Sequence, residues 1–452
     1  MLKIKQRKHN EFLKPTIALS IPIMLQALLV NGVTFADTLM IGQLGEISIA
    51  AVGVASQLFF LVTMFLYGIS SAGGIFISQF WGAQDKRGIQ KVLGLSFIFT
   101  LITCGLIAIL STLFPSIIMK IFTQDQNVIN GGNTYLKIVG FSYILTGFSF
   151  MYAVGLRSTG DAKTPLIISI VSLSVDVIGN YLLIFGIGIF PELGIAGGAI
   201  STSLSRIVEL ILYIIITNKK KDCPVKFSFK YSLDFDKSFV KRFFNTAIPV
   251  VINDIMWSLG MVCYKVAYSK IGTEALAAVQ IIESINNLFF VTIQGFSGAV
   301  AIILGNMIGA KRENKAKDYA NFSLVFSLIT GVLIGLLIAI SSSSFVSLFH
   351  INKEVSNIAE KSLFMIALLM PIKFLTMDQV LGLLRGGGDT KYSLYLEMCS
   401  IWLVGVPMAF LGVLVFHLPL PYIYLLVGTE EITKMIFGFQ RIHSGKFIHK
   451  LI

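Results

Sequence analysis

The chain reads as an all-α polytopic membrane protein, with twelve transmembrane helices in two six-helix lobes related by a pseudo-two-fold axis along the membrane normal. Three observations predict this. Hydrophobic residues fill 55% of the 452 positions and charged ones only 13%, whereas about a quarter of a soluble domain is charged. Apolar segments recur between short polar turns, each long enough to cross roughly 30 Å of hydrocarbon at about 1.5 Å per residue. The motif Arg-x-x-Gly-Asp-x-Lys occurs twice, as Arg157-Ser-Thr-Gly160-Asp161-Ala-Lys163 and Arg385-Gly-Gly-Gly388-Asp389-Thr-Lys391, 228 residues apart.

The apolar segments span 15–40, 47–80, 92–119, 134–156, 164–189, 194–217, 241–269, 275–309, 319–349, 361–384, 392–416 and 418–440. The first is too long for a cleaved signal peptide and is followed by no small-residue cleavage site, so it is expected to remain as a helix. Segments 1 to 6 repeat as 7 to 12. Ser20-Ile-Pro22-Ile recurs as Ala247-Ile-Pro249-Val, Ile49-Ala-Ala-Val52 as Leu276-Ala-Ala-Val279, and Trp81-Gly82-Ala83 as Ile308-Gly309-Ala310, all at an offset of 227. The expected organisation is an N-lobe at 1–217, a linker at 218–240 and a C-lobe at 241–452. An even number of helices per copy makes the repeats parallel, a plan common in membrane transporters.

The excess of basic charge is a topology signal rather than a nucleic-acid footprint. Of 36 Lys and Arg, twenty-seven lie in the N-terminal arm, the even-to-odd connections and the C-terminal tail, while Lys120, Lys270, Lys353 and Lys361 lie on the opposite side. The positive-inside rule then places both termini and the linker in the cytoplasm. The linker, rich in lysine from Lys219 to Lys241, reads as a solvated tether facing anionic lipid. Cys104, Cys223, Cys263 and Cys399 show no disulfide or metal spacing.

No phosphate loop, His-Glu-x-x-His or Gly-x-Ser-x-Gly motif occurs, and no enzyme or cofactor is expected. The copied motifs read as cytoplasmic turns in which the Arg and Asp of each copy pair with one another and bind exposed helix ends. Gly386-Gly387-Gly388 supplies left-handed backbone there.

Ionisable groups within the spans carry the functional signal, because a charge near the bilayer centre costs about 2.5–3.5 kcal/mol even on the mildest scale. Asp37 lies near the outer end of segment 1, beyond Pro22. Asp176 and Asn180 stand at i and i+4 on segment 5 and share a face. Counting about 1.5 Å per residue from Lys163 puts them in the outer half, and Thr202 on segment 6 comes to a similar height. Two carboxylates, an amide and a hydroxyl thus converge, a set suited to Na⁺, while burial and mutual repulsion would equally favour a proton. For Na⁺ the expected ligands are Asp37, Asp176 and Asn180.

The second lobe offers other candidates for substrate or proton. Asn253 and Asp254 lie past Pro249, Glu283 lies on the outer part of segment 8, and Asp378 lies on the inner part of segment 10, with Lys373 as a possible counter-ion. Arg206 with Glu209 and Glu431 with Lys434 are i, i+3 pairs of structural character. Phe59, Phe60, Trp257, Phe289 and Met377 are aromatic or polarizable side chains able to line a path for flat cations or to face lipid. The acids are not copied by the repeat. At the same offsets Asp37 corresponds to Tyr264, Asp176 to Val404, Asn180 to Met408, Asp254 to Ala27 and Asp378 to Phe150.

Several stretches carry a family resemblance: Pro22 followed by Phe35-Ala-Asp37-Thr-Leu-Met-Ile-Gly42, Gln79-Phe-Trp-Gly82-Ala, Leu156-Arg157 through Lys163-Thr-Pro165, and Phe190-Pro191-Glu-Leu-Gly194-Ile-Ala-Gly197-Gly-Ala199. In the second half they are Trp257-Ser-Leu-Gly260, Leu384-Arg385 through Asp389-Thr-Lys391, and Arg441-Ile-His-Ser-Gly-Lys446. In this order they resemble the multidrug and toxic compound extrusion (MATE) family over nearly the whole chain. The resemblance implies a bacterial inner-membrane antiporter, expected as a monomer, that exports organic, often cationic compounds while Na⁺ or H⁺ enters by alternating access. It also implies that Asp37 belongs to the cation site. The segment 5 pair departs from one common family pattern, in which Asn precedes Asp by four residues. Asp254 is similar to an acidic position that is usually Glu, and Asp378 lies about one turn from the acid of another branch. The rival readings are a flippase for lipid-linked oligosaccharides, which Lys373 and Arg206 would serve, and a non-transporting membrane scaffold or receptor.

Overall fold

A computed structural model describes the backbone of residues 2–349 and 351–452, and side chains except those of residues 2–10, Met64 and Phe229. The order is α1 (Leu2–Gly42), α2 (Glu46–Gly82), α3 (Lys86–Leu113), α4 (Pro115–Phe122), α5 (Gln126–Val139), α6 (Ser142–Ser158), α7 (Lys163–Phe185), α8 (Ile195–Lys219) and the short α9 (Phe229–Ser232). It continues through α10 (Lys237–Ser269), α11 (Thr273–Gly309), α12 (Glu313–Ser347), α13 (Lys353–Met377), α14 (Thr390–Cys399), α15 (Val406–Phe410), α16 (Leu420–Val427) and α17 (Thr429–His443). Three π-helical stretches, Asp378–Leu384, Ser400–Gly405 and Leu411–Val415, interrupt the last third.

Among the described residues, ten helices, or eleven spans when α5 and α6 are joined across their 50° bend, are long and apolar enough to cross a membrane. The twelfth expected segment is present as α16 and α17, which meet at Gly428. It falls short of a simple span because α17 carries Glu430, Glu431, Lys434 and Arg441.

The helices are built for lipid. On α12, Ile329, Leu333, Leu336 and Ile340 form an exposed apolar stripe, while Ser327, Gly331, Gly335 and Ser342 face inward. A Cβ at Gly331 would meet the backbone of Pro371 and Met370, and one at Gly335 the carbonyl of Ala367. Small residues let α12 and α13 approach closely, which is how membrane helices associate without a hydrophobic driving force.

The backbone keeps the duplication. Left-handed residues recur as Gly45 and Gly272, Gln84 and Lys311, and Gly160 and Gly388. The helix-ending hydrogen bonds recur with them. Ala83, Gln84 and Asp85 donate to the carbonyls of Gln79, Trp81 and Phe80, as Ala310, Lys311 and Arg312 do to Asn306, Ile308 and Met307.

The chain forms two compact units, one of Leu25–Ala247 and the other of Met1–Met24 with Ile248–Ile452. Their boundaries cut α1 just after Pro22 and α10 just before Pro249, so the first part of each helix belongs with the other copy. Both helices run through their prolines without ending. Thr16 and Phe12 of α1 pack on Tyr319 within the second unit. Correspondingly, Phe239 and Phe243 of α10 pack on Phe76 within the first.

The linker is no loose tether. Val225 is fully buried against Gly155, Phe227 packs on Phe97, and Ser232 is buried where a Cβ on Gly94 would strike its carbonyl. Lys86 and Lys91 pair with Asp222 and Asp234 on its edge. The absence of Cβ atoms at Gly94 and Gly155 opens the seats into which the linker settles, so its lysines decorate a docked segment.

Candidate functional site

Within the first unit, α1, α7 and α8 bring the expected residues together. The Asn180 amide donates to Asp37 Oδ1 at 2.7 Å. Asp176, one turn earlier on α7, interacts with Asp37 and with the Thr202 hydroxyl. Its Oδ1 and the Asn180 Oδ1 are buried and accept no hydrogen bond. The backbone carbonyl of Asp176 accepts from Ser201 at 2.7 Å, which fixes α8 against α7.

Two neighbours were not expected there. Tyr135 of α5 is within reach of Thr202 and both acids. Arg206 is near both acids as well, but its Nη1 is engaged by Glu209 at 2.7 Å, the structural pair the i, i+3 spacing suggested. Tyr135 had no sequence signal, whereas Arg206, one turn from Thr202, did.

In the second unit the expected candidates divide. Asp254 pairs with Arg385 at 2.7 Å. Asn253 donates to Glu397 at 2.5 Å, an acid of α14 that sequence reasoning did not single out. Glu283 joins neither group and pairs with Lys265 at 2.8 Å. Asp378 is 0% exposed and opens the first π-helical stretch, with neither carboxylate oxygen hydrogen-bonded. No ion pair joins Lys373 to any of these acids among the described residues, so it is not their counter-ion.

Lys434 fills that role for others. It lies 3.0 Å from Glu430 and 3.6 Å from Glu431. Glu430 also accepts from Tyr264, and Glu431 from Thr376 at 2.5 Å. Of the proposed aromatic lining, Phe59 stacks on Tyr143 and Trp257 on Phe290, while Phe289 is buried in the core of the second unit.

The Arg and Asp of the repeated motif do not pair with each other. Arg157 turns inward, donating to the carbonyl of Ala153, and Arg385 reaches Asp254. The aspartates face the other way. Asp161 binds Lys220 at 2.8 Å and caps α7 through Thr164, and Asp389 binds Arg441 at 2.7 Å and His449 at 3.4 Å. Each motif thus ties a helix interior to the segment that follows the lobe. Left-handed Gly160 and Gly388 make the reversal possible. At Asp161 burial opposes ionisation, but the Lys220 and Thr164 hydrogen bonds outweigh it and hold the carboxyl below its usual range.

A family model described as MatE matches residues 22–182 and 249–411. The chain is similar to YisQ of Bacillus subtilis (strain 168), described as an uncharacterized transporter, at 25% identity over 96% of this chain and 94% of that protein. It is 28% identical to YoeA of the same organism, a probable multidrug resistance protein, with 88% and 87% covered. It is 27% identical to NorM of Thermotoga maritima, likewise a probable multidrug resistance protein, with 91% and 88% covered. Among solved structures, a MATE protein in complex with MaL6 superposes with a TM-score of 0.86 at 20% identity, covering 96% of this chain and 97% of that one. A MOP superfamily transporter from Pyrococcus furiosus superposes with a TM-score of 0.85 at 19% identity, with 96% of each chain covered.

Proposed function

The chain belongs to the MATE family of multidrug efflux transporters, and from that membership we propose that it is a secondary antiporter exporting lipophilic organic cations in exchange for Na⁺ or H⁺. It is a multi-pass membrane protein. We place it in the bacterial inner membrane as a monomer, with both termini in the cytoplasm, on the distribution of its Lys and Arg.

One observation carries the ion-coupling reading. Asp37, Asp176, Asn180 and Thr202 gather oxygen atoms in one place, and two of those oxygens, Asp176 Oδ1 and Asn180 Oδ1, are buried without a donor. A buried acceptor left unmatched costs about 1–3 kcal/mol. A bound Na⁺ would be liganded by such oxygens, and a proton shared between the two carboxylates would relieve their repulsion. Arg206 lies near both acids but its Nη1 is engaged by Glu209, so one guanidinium is shared among three carboxylates.

Binding of the ion and of the drug would then be reciprocally unfavourable, each releasing the other as the lobes alternate in access. In the second lobe, Asp254, Asn253, Glu283 and Asp378 remain the acids and amide proposed to meet a cationic substrate or a proton. A lipid-linked oligosaccharide would need free cationic groups. Arg206, Arg385 and Lys434 are paired with acids, which weighs toward export of cations, whereas Lys373, in no ion pair among the described residues, is the cation a flippase would use.

The test is efflux of a fluorescent organic cation from proteoliposomes with Na⁺ and pH gradients imposed separately. Transport abolished by collapsing one gradient identifies the ion. An Asp37→Asn protein that still concentrates drug with unchanged ion dependence would overturn the site, and uphill transport with neither gradient would overturn antiport.

A further inference from the structure

The second unit holds a connected polar group in its interior: Asp254, Glu397, Glu430 and Glu431 against only two cations, Arg385 and Lys434. Three of the four acids are matched. Asp254 has Arg385 at 2.7 Å, Glu430 has Lys434 at 3.0 Å and Tyr264, and Glu431 has Lys434 at 3.6 Å and Thr376. Glu397 is the exception. Only 5% exposed, it has its closest cation, Arg385, 4.0 Å away. The charged groups facing it are Arg385, Lys434 and Asp254, from the three elements packed around it.

What Glu397 does have is an amide. Asn253 Nδ2 donates to its Oε2 at 2.5 Å, while Asn253 Oδ1, on the same buried carboxamide, accepts nothing. A carboxylic acid and a primary amide complete a two-bond ring: the amide N–H donates to the acid carbonyl and the acid O–H donates to the amide carbonyl. One bond of that ring is formed here. The other would need a hydrogen on Glu397 Oε1 directed at Asn253 Oδ1.

We propose that Glu397 is a proton-binding site of the second lobe, taking a proton from water on Oε1 and donating it to Asn253 Oδ1 to close an acid–amide pair. The site belongs to the other unit from the Asp37 cluster. It lies about 10 Å along α14 from Thr390. An ionised Glu397 would leave the group with two uncompensated negative charges in a low-dielectric interior, and one proton halves that excess. Whether the Asp37 site takes Na⁺ or H⁺, the second lobe would respond to pH through this pair.

The test uses the full chain in nanodiscs, with wild type, Glu397→Gln and Asn253→Leu compared by acid–base titration and by pH-difference infrared spectroscopy of the carboxylic C=O band. Glu397→Gln keeps the ring as an amide–amide pair and preserves its shape. The expected result is one proton fewer taken up than by wild type, loss of one carboxylic band that titrates in wild type, and a displaced band in Asn253→Leu. The same loss is expected in an Asp37→Asn background. That control, together with a readout that needs no transport, separates failure here from failure of the antiport reading. A proton count unchanged in Glu397→Gln, a wild-type band that persists at every pH, or a band indifferent to Asn253→Leu would each overturn the proposal.

Discussion

The last spanning helix of each repeat carries a cation at the same place, and the two lobes use it in opposite ways. With Pro191 and Pro419 in register at an offset of 228, Arg206 corresponds to Lys434 and Thr202 to Glu430, while Asp37 corresponds to Tyr264 at 227. In the first lobe Arg206 is drawn toward Glu209, one turn on, while Asp37 and Asp176 are met by Asn180 and Thr202 with Tyr135 and Arg206 nearby. In the second, Lys434 reaches one turn back to Glu430, and Tyr264 donates to that same carboxylate. The first lobe leaves oxygens of Asp176 and Asn180 without a donor, where we propose that an exchangeable ion binds. The second closes Glu430 and Glu431 with a tethered cation. Duplication preserved the turns, and divergence at three equivalent positions separated the two chemistries.

If Lys434 is a built-in counter-ion, removing it should have the largest effect of any single change. Lys434→Met strands buried Glu430 and part-buried Glu431 and is expected to cost about 3–5 kcal/mol, as when one partner of a buried pair is deleted. The check is thermal unfolding in detergent or nanodiscs, with Glu430→Gln in the same chain restoring part of the loss. A Lys434→Met protein as stable as wild type would mean that the glutamates are neutral without it, and the contrast between the lobes would fall. Asp37→Asn should act differently: stability close to wild type, but the shift in drug affinity on adding Na⁺ or lowering pH, expected at about 5- to 150-fold, reduced to near none. Equilibrium binding of a fluorescent cation with and without the ion reads this directly.

The open site was legible because its parts obey short-range rules. Asp176 and Asn180 share a face by spacing, and their height and that of Asp37 and Thr202 follow from counting residues along helices whose ends are marked by polar turns. Tyr135 gave no such mark, being one tyrosine among 14 with no charge to make it conspicuous. The closed site was largely illegible because its pairings are long-range. Arg385 looked like the partner of Asp389, four residues on, and instead binds Asp254, 131 residues back. Glu397, inside the expected span 392–416, was not singled out because nothing near it in sequence marks a partner, and the fold set Asn253 against it from 144 residues away. The fold itself was nearly all visible. The exception was the assignment of the first parts of α1 and α10 to opposite units, since a hydrophobic stretch announces a helix and not which neighbours it chooses.

The smallest expected effect concerns the ends of the lobes, where the two copies use the same aspartate with different partners. Asp161 holds Lys220 of the linker, and Asp389 holds Arg441 and His449 near the C-terminus. The Asp161 carboxyl is held below its usual range, so its contribution is present above the pH at which a free aspartate ionises and is lost as pH falls through the lower, folded value. Its hydrogen bond raises Lys220 above the usual lysine range, so that contribution is complete below the free lysine's value and is lost as pH rises through the higher one. The first-lobe tie should therefore hold across the whole neutral range and loosen only at the two extremes. Because Lys220 is half exposed, Asp161→Asn should cost no more than about 1 kcal/mol. Hydrogen exchange of residues 220–234 should quicken in that variant and in wild type at acid pH, while residues 445–451 stay protected. In the second lobe Asp389 is held by Arg441 and His449, so Asp389→Asn should quicken exchange of residues 445–451 and leave residues 220–234 unchanged. Protection lost at residues 445–451 in Asp389→Asn alone and at residues 220–234 in Asp161→Asn alone would make the two turns separable; equal loss at both segments in either variant would show that the ties are not local.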